Sequence, residues 1–267
     1  MPYATNDGTR LYYEVDGDPD GEAVVLVEGL AYGTWMWDRQ RAALADEYRT
    51  ILPDNRGTGK SDEPTGPYTV EGMAGDLEAV LADAGAERAH VVGASLGGMI
   101  AQQYALDYDR ARSLVLICTT HGGENAEPIP DETLDRMLNV PEEYGPAERI
   151  RYKMRPAFTD EFWAQHPDVV DEVAENRLET DPSDRAYRWQ SEAVDGFDVS
   201  DRLGELAVPA LVVHGTADRV VPVENGRLVA EGLPDAEFVA VEGGPHLVFV
   251  ERAGEVNDAI RGFLDDV

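Results

Sequence analysis

At 267 residues the chain is long enough for one α/β domain with an insertion, and its 43% hydrophobic and 28% charged content excludes disordered and fibrous classes. Its 53 acidic residues face only 22 basic ones, and the net charge of -31 disfavours nucleic acid or an anionic membrane as a partner. Cys118 is the only cysteine, which rules out an internal disulfide or a cysteine metal cluster and suggests inert packing in its apolar run.

Such a charge excess repels itself unless counter-ions screen it, so the expected source is a salt-loving cytoplasm; an acidic protein from ordinary salt is the plainer alternative. Lys60 and Lys153 are the only lysines. The chain starts without a basic segment leading into an apolar run, and no stretch reaches the ~18 apolar residues of a membrane span. A cytoplasmic protein without a membrane partner is the resulting expectation. No repeat of solenoid or propeller length is visible.

Asn6-Asp7-Gly8 is a turn signal, and the alternation over Thr9 to Val15 predicts a hairpin with Tyr3 to Thr5. Ala23 to Val27 is a short, wholly apolar run, as in a strand buried on both faces of a parallel sheet. Arg49 to Leu52, Ala89 to Val92, Ser113 to Cys118, Ala210 to His214 and Glu237 to Val241 read the same way. Helical patterns at Trp37 to Ala45, Val70 to Ala84, Leu96 to Leu106, Glu224 to Leu233 and Ala253 to Leu264 lie between or after them. Alternating strands and helices predict an α/β fold with a mostly parallel sheet.

Between His121 and Leu206 that rhythm stops, and amphipathic segments broken by proline take over. The expected organisation is a core of residues 1–120 and 207–267 with a helical lid at 121–206. The lid residues Tyr144, Tyr152, Met154, Phe158, Trp163 and Trp189 are expected mostly to pack on one another, with some lining an acyl pocket.

The strand ending at Val92 runs into Gly93-Ala94-Ser95-Leu96-Gly97 and then a helix, which is G-x-S-x-G in strand–turn–helix context. A sharp bend there lifts the Ser95 hydroxyl clear of the sheet and sets the Leu96 N–H at a helix start, suited to an oxyanion. A serine nucleophile needs an imidazole held by a carboxylate. Asp218 in Gly215-Thr216-Ala217-Asp218 and His246 in Gly244-Pro245-His246 follow predicted strands in the order Ser, Asp, His. Each alone would pass for a turn or surface residue, but together they converge on the carboxyl edge of the sheet, where ligand sites form. His90, His121, His166 and His214 all precede the acid and are set aside as the base, with a place facing the lid pocket only the lesser alternative for His121.

Gly59-Lys60-Ser61 does not complete a phosphate loop, because Asp54 stands where glycine is required. No zinc or calcium signature is present, so neither metal nor cofactor is expected.

Over nearly its whole length the chain resembles the α/β-hydrolase fold family, through the Ser95, Asp218 and His246 segments and through Asp54-Asn55-Arg56-Gly57-Thr58-Gly59-Lys60-Ser61-Asp62. Within it, His246-Leu247-Val248-Phe249-Val250-Glu251 is similar to the small cofactor-free 3-oxoadipate enol-lactonases, esterases and haloperoxidases. The resemblance implies an eight-stranded sheet with helices on both faces, and a second oxyanion donor at the Leu30 N–H. It departs at Glu28-Gly29, where the family usually carries His-Gly. A carboxylate aimed at an oxyanion would oppose it, so Glu28 is expected to point into hydrogen bonds as a structural residue. The implied function is hydrolysis of a small carboxylic ester or lactone through an acyl-enzyme. A cofactor-free haloperoxidase or perhydrolase and a non-catalytic ligand-binding member of the fold are the alternatives.

Overall fold

The computed structural model describes residues 2–267. Asp7 and Gly8, both at positive φ (47° and 81°), join β1 (Tyr3–Asn6) to β2 (Thr9–Gly17) in the kind of tight turn whose twist suits a hairpin. β3 (Glu22–Val27), α1 (Asp38–Leu44), β4 (Tyr48–Pro53), α2 (Val70–Asp83), β5 (Ala89–Ala94), α3 (Leu96–Asp107) and β6 (Ala111–Ile117) follow. Between β6 and the next strand the chain runs through α4 (Asp131–Leu138), α5 (Pro146–Met154), α6 (Asp160–Gln165), α7 (Pro167–Thr180) and α8 (Asp184–Asp195). The chain ends with β7 (Ala210–Gly215), α9 (Val223–Gly232), β8 (Ala236–Val241), α10 (Val248–Glu251) and α11 (Ala253–Asp266).

The eight strands form one sheet in the order β1-β2-β4-β3-β5-β6-β7-β8. β1–β2 and β2–β4 pair antiparallel, and the remaining neighbours pair parallel. Successive strand residues alternate between two cores, as the period of two demands. Val25, Val27, Val91, Leu114, Leu116 and Val212 meet α2, α3 and α9 on one face. Val24, Leu26, Val92, Val115, Leu211 and Val213 meet α1 and α11 on the other. The helices match this with buried residues at helical spacing, such as Val70, Met73, Ala74, Leu77 and Leu81 in α2.

Most boundaries differ from the sequence reading by one or two residues, and two of the shifts have a local physical reason. Trp37 belongs to a 3-10 turn over Thr34–Trp37, so α1 starts one residue later than expected. Cys118 lies just past β6 with φ of 46°, where the chain leaves the sheet. The helix α10 was not expected, because an apolar run of four residues carries no readable period.

The insertion leaves and re-enters the sheet through a narrow neck. Gly122 bridges Asp198, and the Val199 N–H donates to the His121 carbonyl at 2.9 Å. Gly122, at φ 72°, admits no side chain there, since a Cβ would run into the Phe197 carbonyl. Among the described residues, no helix is long and apolar enough to cross a membrane.

Candidate active site

β5 hands over to α3 at Ser95, whose φ of 53° and ψ of -118° put a non-glycine residue in a strained region. Neighbours on both sides hold it. The Ser95 N–H donates to the Ile117 carbonyl at 2.9 Å, and the Ser95 carbonyl accepts from the Gly98 N–H at 2.9 Å and the Thr119 hydroxyl at 2.7 Å. Close approach needs bare backbone: a Cβ on Gly93 would collide with the Gly97 carbonyl, and one on Gly97 with that of Val27. Ser95 is the cap residue at the start of α3, directly followed by Leu96, the first residue of its first turn.

Asp218 and His246 come from the loops after β7 and β8, and backbone hydrogen bonds fasten the two loops together. Thr216 N–H donates to the Val241 carbonyl at 3.0 Å, Ala217 N–H to the Gly244 carbonyl at 2.9 Å, and Gly243 N–H to the Thr216 hydroxyl at 2.8 Å. Asp218 Oδ1 accepts from the N–H groups of Val220 (2.7 Å) and Val221 (2.9 Å). Oδ2 lies 2.7 Å from His246 Nδ1. An ionised carboxylate only accepts, so Nδ1 carries a proton, which in the neutral imidazole leaves the lone pair on Nε2.

A second histidine shares the same carboxylate. His214 Nε2 donates to the Val221 carbonyl at 2.9 Å and lies 3.4 Å from Asp218 Oδ2, while its buried Nδ1 has no partner. Burial works against charge on Asp218, but His246 and His214 outweigh it and hold the carboxyl well below the usual carboxylate range. Cys118 completes the surroundings. Cys118, His214 and Asp218 are the one group among the described residues whose potential ligand atoms lie within 4.8 Å of one another. The cysteine is buried as expected, but it lines the cavity beside Ser95 and so does more than fill the core. Burial pushes its thiol well above the ordinary range, which keeps it protonated and unreactive.

The loop after β3 carries Leu30 and has Ala31 at φ 63°. Gln190, fully buried on α8, pins this loop. Its Oε1 accepts from the Ala31 N–H at 3.1 Å, and its Nε2 donates to the Arg56 carbonyl (2.9 Å) and the Thr58 hydroxyl (2.8 Å). Glu28 behaves only partly as expected. Its Oε1 accepts from the Asn55 N–H at 2.6 Å, whereas its Oε2 is buried without a partner. Burial first, and the nearby Asp54 charge second, push this carboxyl well above the ordinary range.

Ser95, His246 and Leu30 line one cavity of about 270 Å³ between the sheet edge and the inserted helices. Its walls are largely apolar, with Met36, Met99 and Met154 among them. Of the six inserted side chains singled out in the sequence, only Met154 lines it. Phe158 stacks on Phe162 at 5.7 Å and meets Trp163 edge-on at 5.9 Å, Tyr144 packs on Tyr152 at 5.5 Å, and Trp189 packs on Tyr68 at 5.1 Å. His121 does not line the cavity either: it sits at the neck, with Nδ1 2.6 Å from the Gly122 carbonyl.

A family model described as the alpha/beta hydrolase fold matches residues 22–253. The chain belongs to the α/β hydrolase fold family. An Azorhizobium caulinodans relative, provisionally named carbamate hydrolase RutD, is 30% identical over 268 residues, covering 100% of this chain and 99% of its own. Among solved structures, an enol-lactonase from Burkholderia xenovorans superposes with a TM-score of 0.88 at 29% identity over 99% of this chain and 100% of that one. A thermophilic, malate-bound esterase from Thermogutta terrifontis gives a TM-score of 0.83 at 29% identity, covering 99% and 98%.

This α/β hydrolase therefore has hydrolases of small molecules as relatives. Three features of its site escaped the sequence reading: the Gln190 clamp, the second histidine on Asp218, and the polar stretch of cavity wall formed by Tyr32, Lys153, Arg177 and Tyr187. The spacing His214-x-x-x-Asp218 was a signal for the second; nothing local marks the others.

Proposed function

We infer that this protein hydrolyses a carboxylic ester or lactone through an acyl-enzyme on Ser95. The observation that carries the reading is the 2.7 Å contact from His246 Nδ1 to a buried Asp218, with the same imidazole and the strained Ser95 facing one cavity. Ser95 Oγ attacks the carbonyl carbon as His246 Nε2 takes its proton. The N–H groups of Leu30 and Leu96 receive the oxyanion, and the imidazolium returns the proton to the leaving alcohol. Water, deprotonated by His246, then releases the acid. Asp218 holds the imidazole tautomer throughout. The inserted helices serve as the lid that closes the cavity over the acyl group.

Fluorophosphonate should label Ser95, as read by peptide mass spectrometry, and Ser95→Ala should lower p-nitrophenyl acetate turnover by roughly 10⁴-fold or more. Labelling elsewhere, or a variant hydrolysing at the parent rate, refutes the assignment. A parent that forms no acyl-enzyme would instead be a ligand-binding member of the fold. The relatives provisionally named carbamate hydrolases make a carbamate the second carbonyl class to include in the substrate panel.

A further inference from the structure

The loop after β3 lies against Ser95: a Cβ on Gly29 would sit 3.6 Å from Ser95 Cβ and 3.5 Å from the Ala94 carbonyl oxygen. Its N–H groups are engaged one by one. Gly29 N–H donates to the Met36 sulfur at 3.4 Å, Ala31 N–H to Gln190 Oε1 at 3.1 Å, and Tyr32 N–H to the Gly29 carbonyl at 3.3 Å. The Leu30 N–H between them donates to no group among the described residues.

The bond to Met36 is the unusual one, because a thioether sulfur is a weak acceptor and here it is the partner of a buried backbone N–H. Met36 is itself fixed by the 3-10 turn Thr34–Trp37. Its N–H donates to the Gly33 carbonyl at 3.0 Å, and the next residue, Trp37, packs on Phe249 with ring centres 5.1 Å apart. Although buried from bulk solvent, Met36 lines the cavity, as do Met99, Met137 and Met154. Of these four, only Met36 has its sulfur bonded to the loop that carries Leu30.

Hydrogen peroxide is little larger than water, so a cavity of about 270 Å³ admits it. A sulfur lone pair attacks one peroxide oxygen, and an S–O bond forms as the O–O bond breaks. Sulfur is oxidised by two electrons, and the departing hydroxide takes the proton left on the transferred oxygen and leaves as water. The sulfoxide is polar and carries one more atom into a close-packed wall. If its oxygen takes the Gly29 N–H, sulfur and backbone must move apart; if it does not, that N–H loses its partner. Either way Gly29 shifts, and Leu30 with it.

We propose that Met36 is a positioning residue whose sulfur sets the Gly29–Leu30 backbone, and that it is an oxidation site through which peroxide slows the enzyme. This rests on the acyl-enzyme reading put forward above, in which Leu30 supplies an oxyanion donor.

The test treats the protein with hydrogen peroxide, removes the excess, locates added oxygen by peptide mass spectrometry and measures p-nitrophenyl acetate turnover. Oxygen on Met36 should lower kcat by about 10- to 100-fold with little change in KM, since a displaced donor is missed mainly in the transition state. Met36→Leu keeps the volume but neither accepts the N–H nor oxidises. Its kcat should start about 3- to 10-fold below the parent's and fall no further with peroxide. Met99→Leu and Met154→Leu should be slowed by peroxide as the parent is. A Met36→Leu enzyme that starts at the parent kcat, or that peroxide slows as much as the parent, overturns the proposal. So does peroxide that oxidises the other cavity methionines or Cys118 and spares Met36. Hydrogen exchange over residues 28–33, followed without substrate, separates the two readings. Faster exchange there once Met36 carries oxygen, in a protein that hydrolyses no ester, upholds the sulfur contact while the hydrolase reading fails. Exchange unmoved by that oxidation rejects the contact whatever the turnover.

Discussion

A carboxyl group buried beside a loop that is to stabilise an oxyanion either stays neutral or opposes the charge that develops there. Glu28 is fully buried, with one oxygen bonded to the Asn55 N–H and the other unpartnered, and its pKa is raised by burial and by Asp54. The raised value fixes the sign of its pH dependence. Folding favours the protonated acid, so its contribution is intact below the usual glutamate pKa and is lost as pH rises through the folded-state value. Glu28→Gln keeps the acceptor for Asn55 and removes the titration. Relative to the parent it should gain stability on going from about pH 5 to about pH 8, by on the order of 1 kcal/mol for each unit of raised pKa crossed. Urea midpoints at the two pH values measure this, and a constant difference would mean that Glu28 ionises freely where it stands. At this scale the sequence was legible where a local pattern marks the proposed catalytic residues. Ser95 sits in a G-x-S-x-G bend, and Asp218 and His246 each follow a strand in the expected order. Glu28 was visible as a departure, but its raised pKa was not, because that depends first on burial and then on Asp54, and folding alone brings both about.

Among the elements, α8 reaches furthest into the site. Gln190 uses three hydrogen bonds to tie the inserted helices to the loops after β3 and β4, and one of them holds the strained Ala31 beside the proposed Leu30 donor. Gln190→Leu keeps most of the volume and strands the buried Ala31 N–H, which should cost about 1–3 kcal/mol of stability. Because a donor aimed at the oxyanion matters mainly in the transition state, kcat should fall by about tenfold with little change in KM. Lost stability with an unchanged kcat would make Gln190 a brace for the insertion alone. The sheet elements were legible because a strand buried on both faces and a helix with one apolar stripe leave distinct periods. The insertion was legible as helical but not in its packing. In α4, Leu134, Met137 and Leu138 line the cavity although Leu138 is 72% exposed, and only the tertiary arrangement shows which face of such a helix looks inward.

For the molecule as a whole, the net charge of -31 sets a repulsive background on which every local contact acts. Many arginines are locally paired, as in Arg56 with Asp76, Arg41 with Glu14 and Asp16, and Arg10 with Asp62. Exposed pairs such as Arg10 with Asp62 contribute little individually, and 22 cations cannot match 53 anions, so pairing does not remove the imbalance. Screening does. Raising KCl from about 0.1 M to about 1 M shortens the Debye length from about 10 Å to about 3 Å, below the spacing of most surface charges. On the proposal that the chain is adapted to salt, the thermal midpoint should climb across that range, by about 2–4 °C for each kcal/mol of repulsion relieved. Entry to the cavity should respond as well: the encounter rate with anionic esters should rise as the outer field collapses. Scanning calorimetry over the KCl series, with kcat/KM for an anionic ester followed in parallel, checks both. A flat midpoint would leave the acidity as a solubility feature, and a rate for the anionic ester that fell with salt would show that long-range repulsion is not what limits its entry.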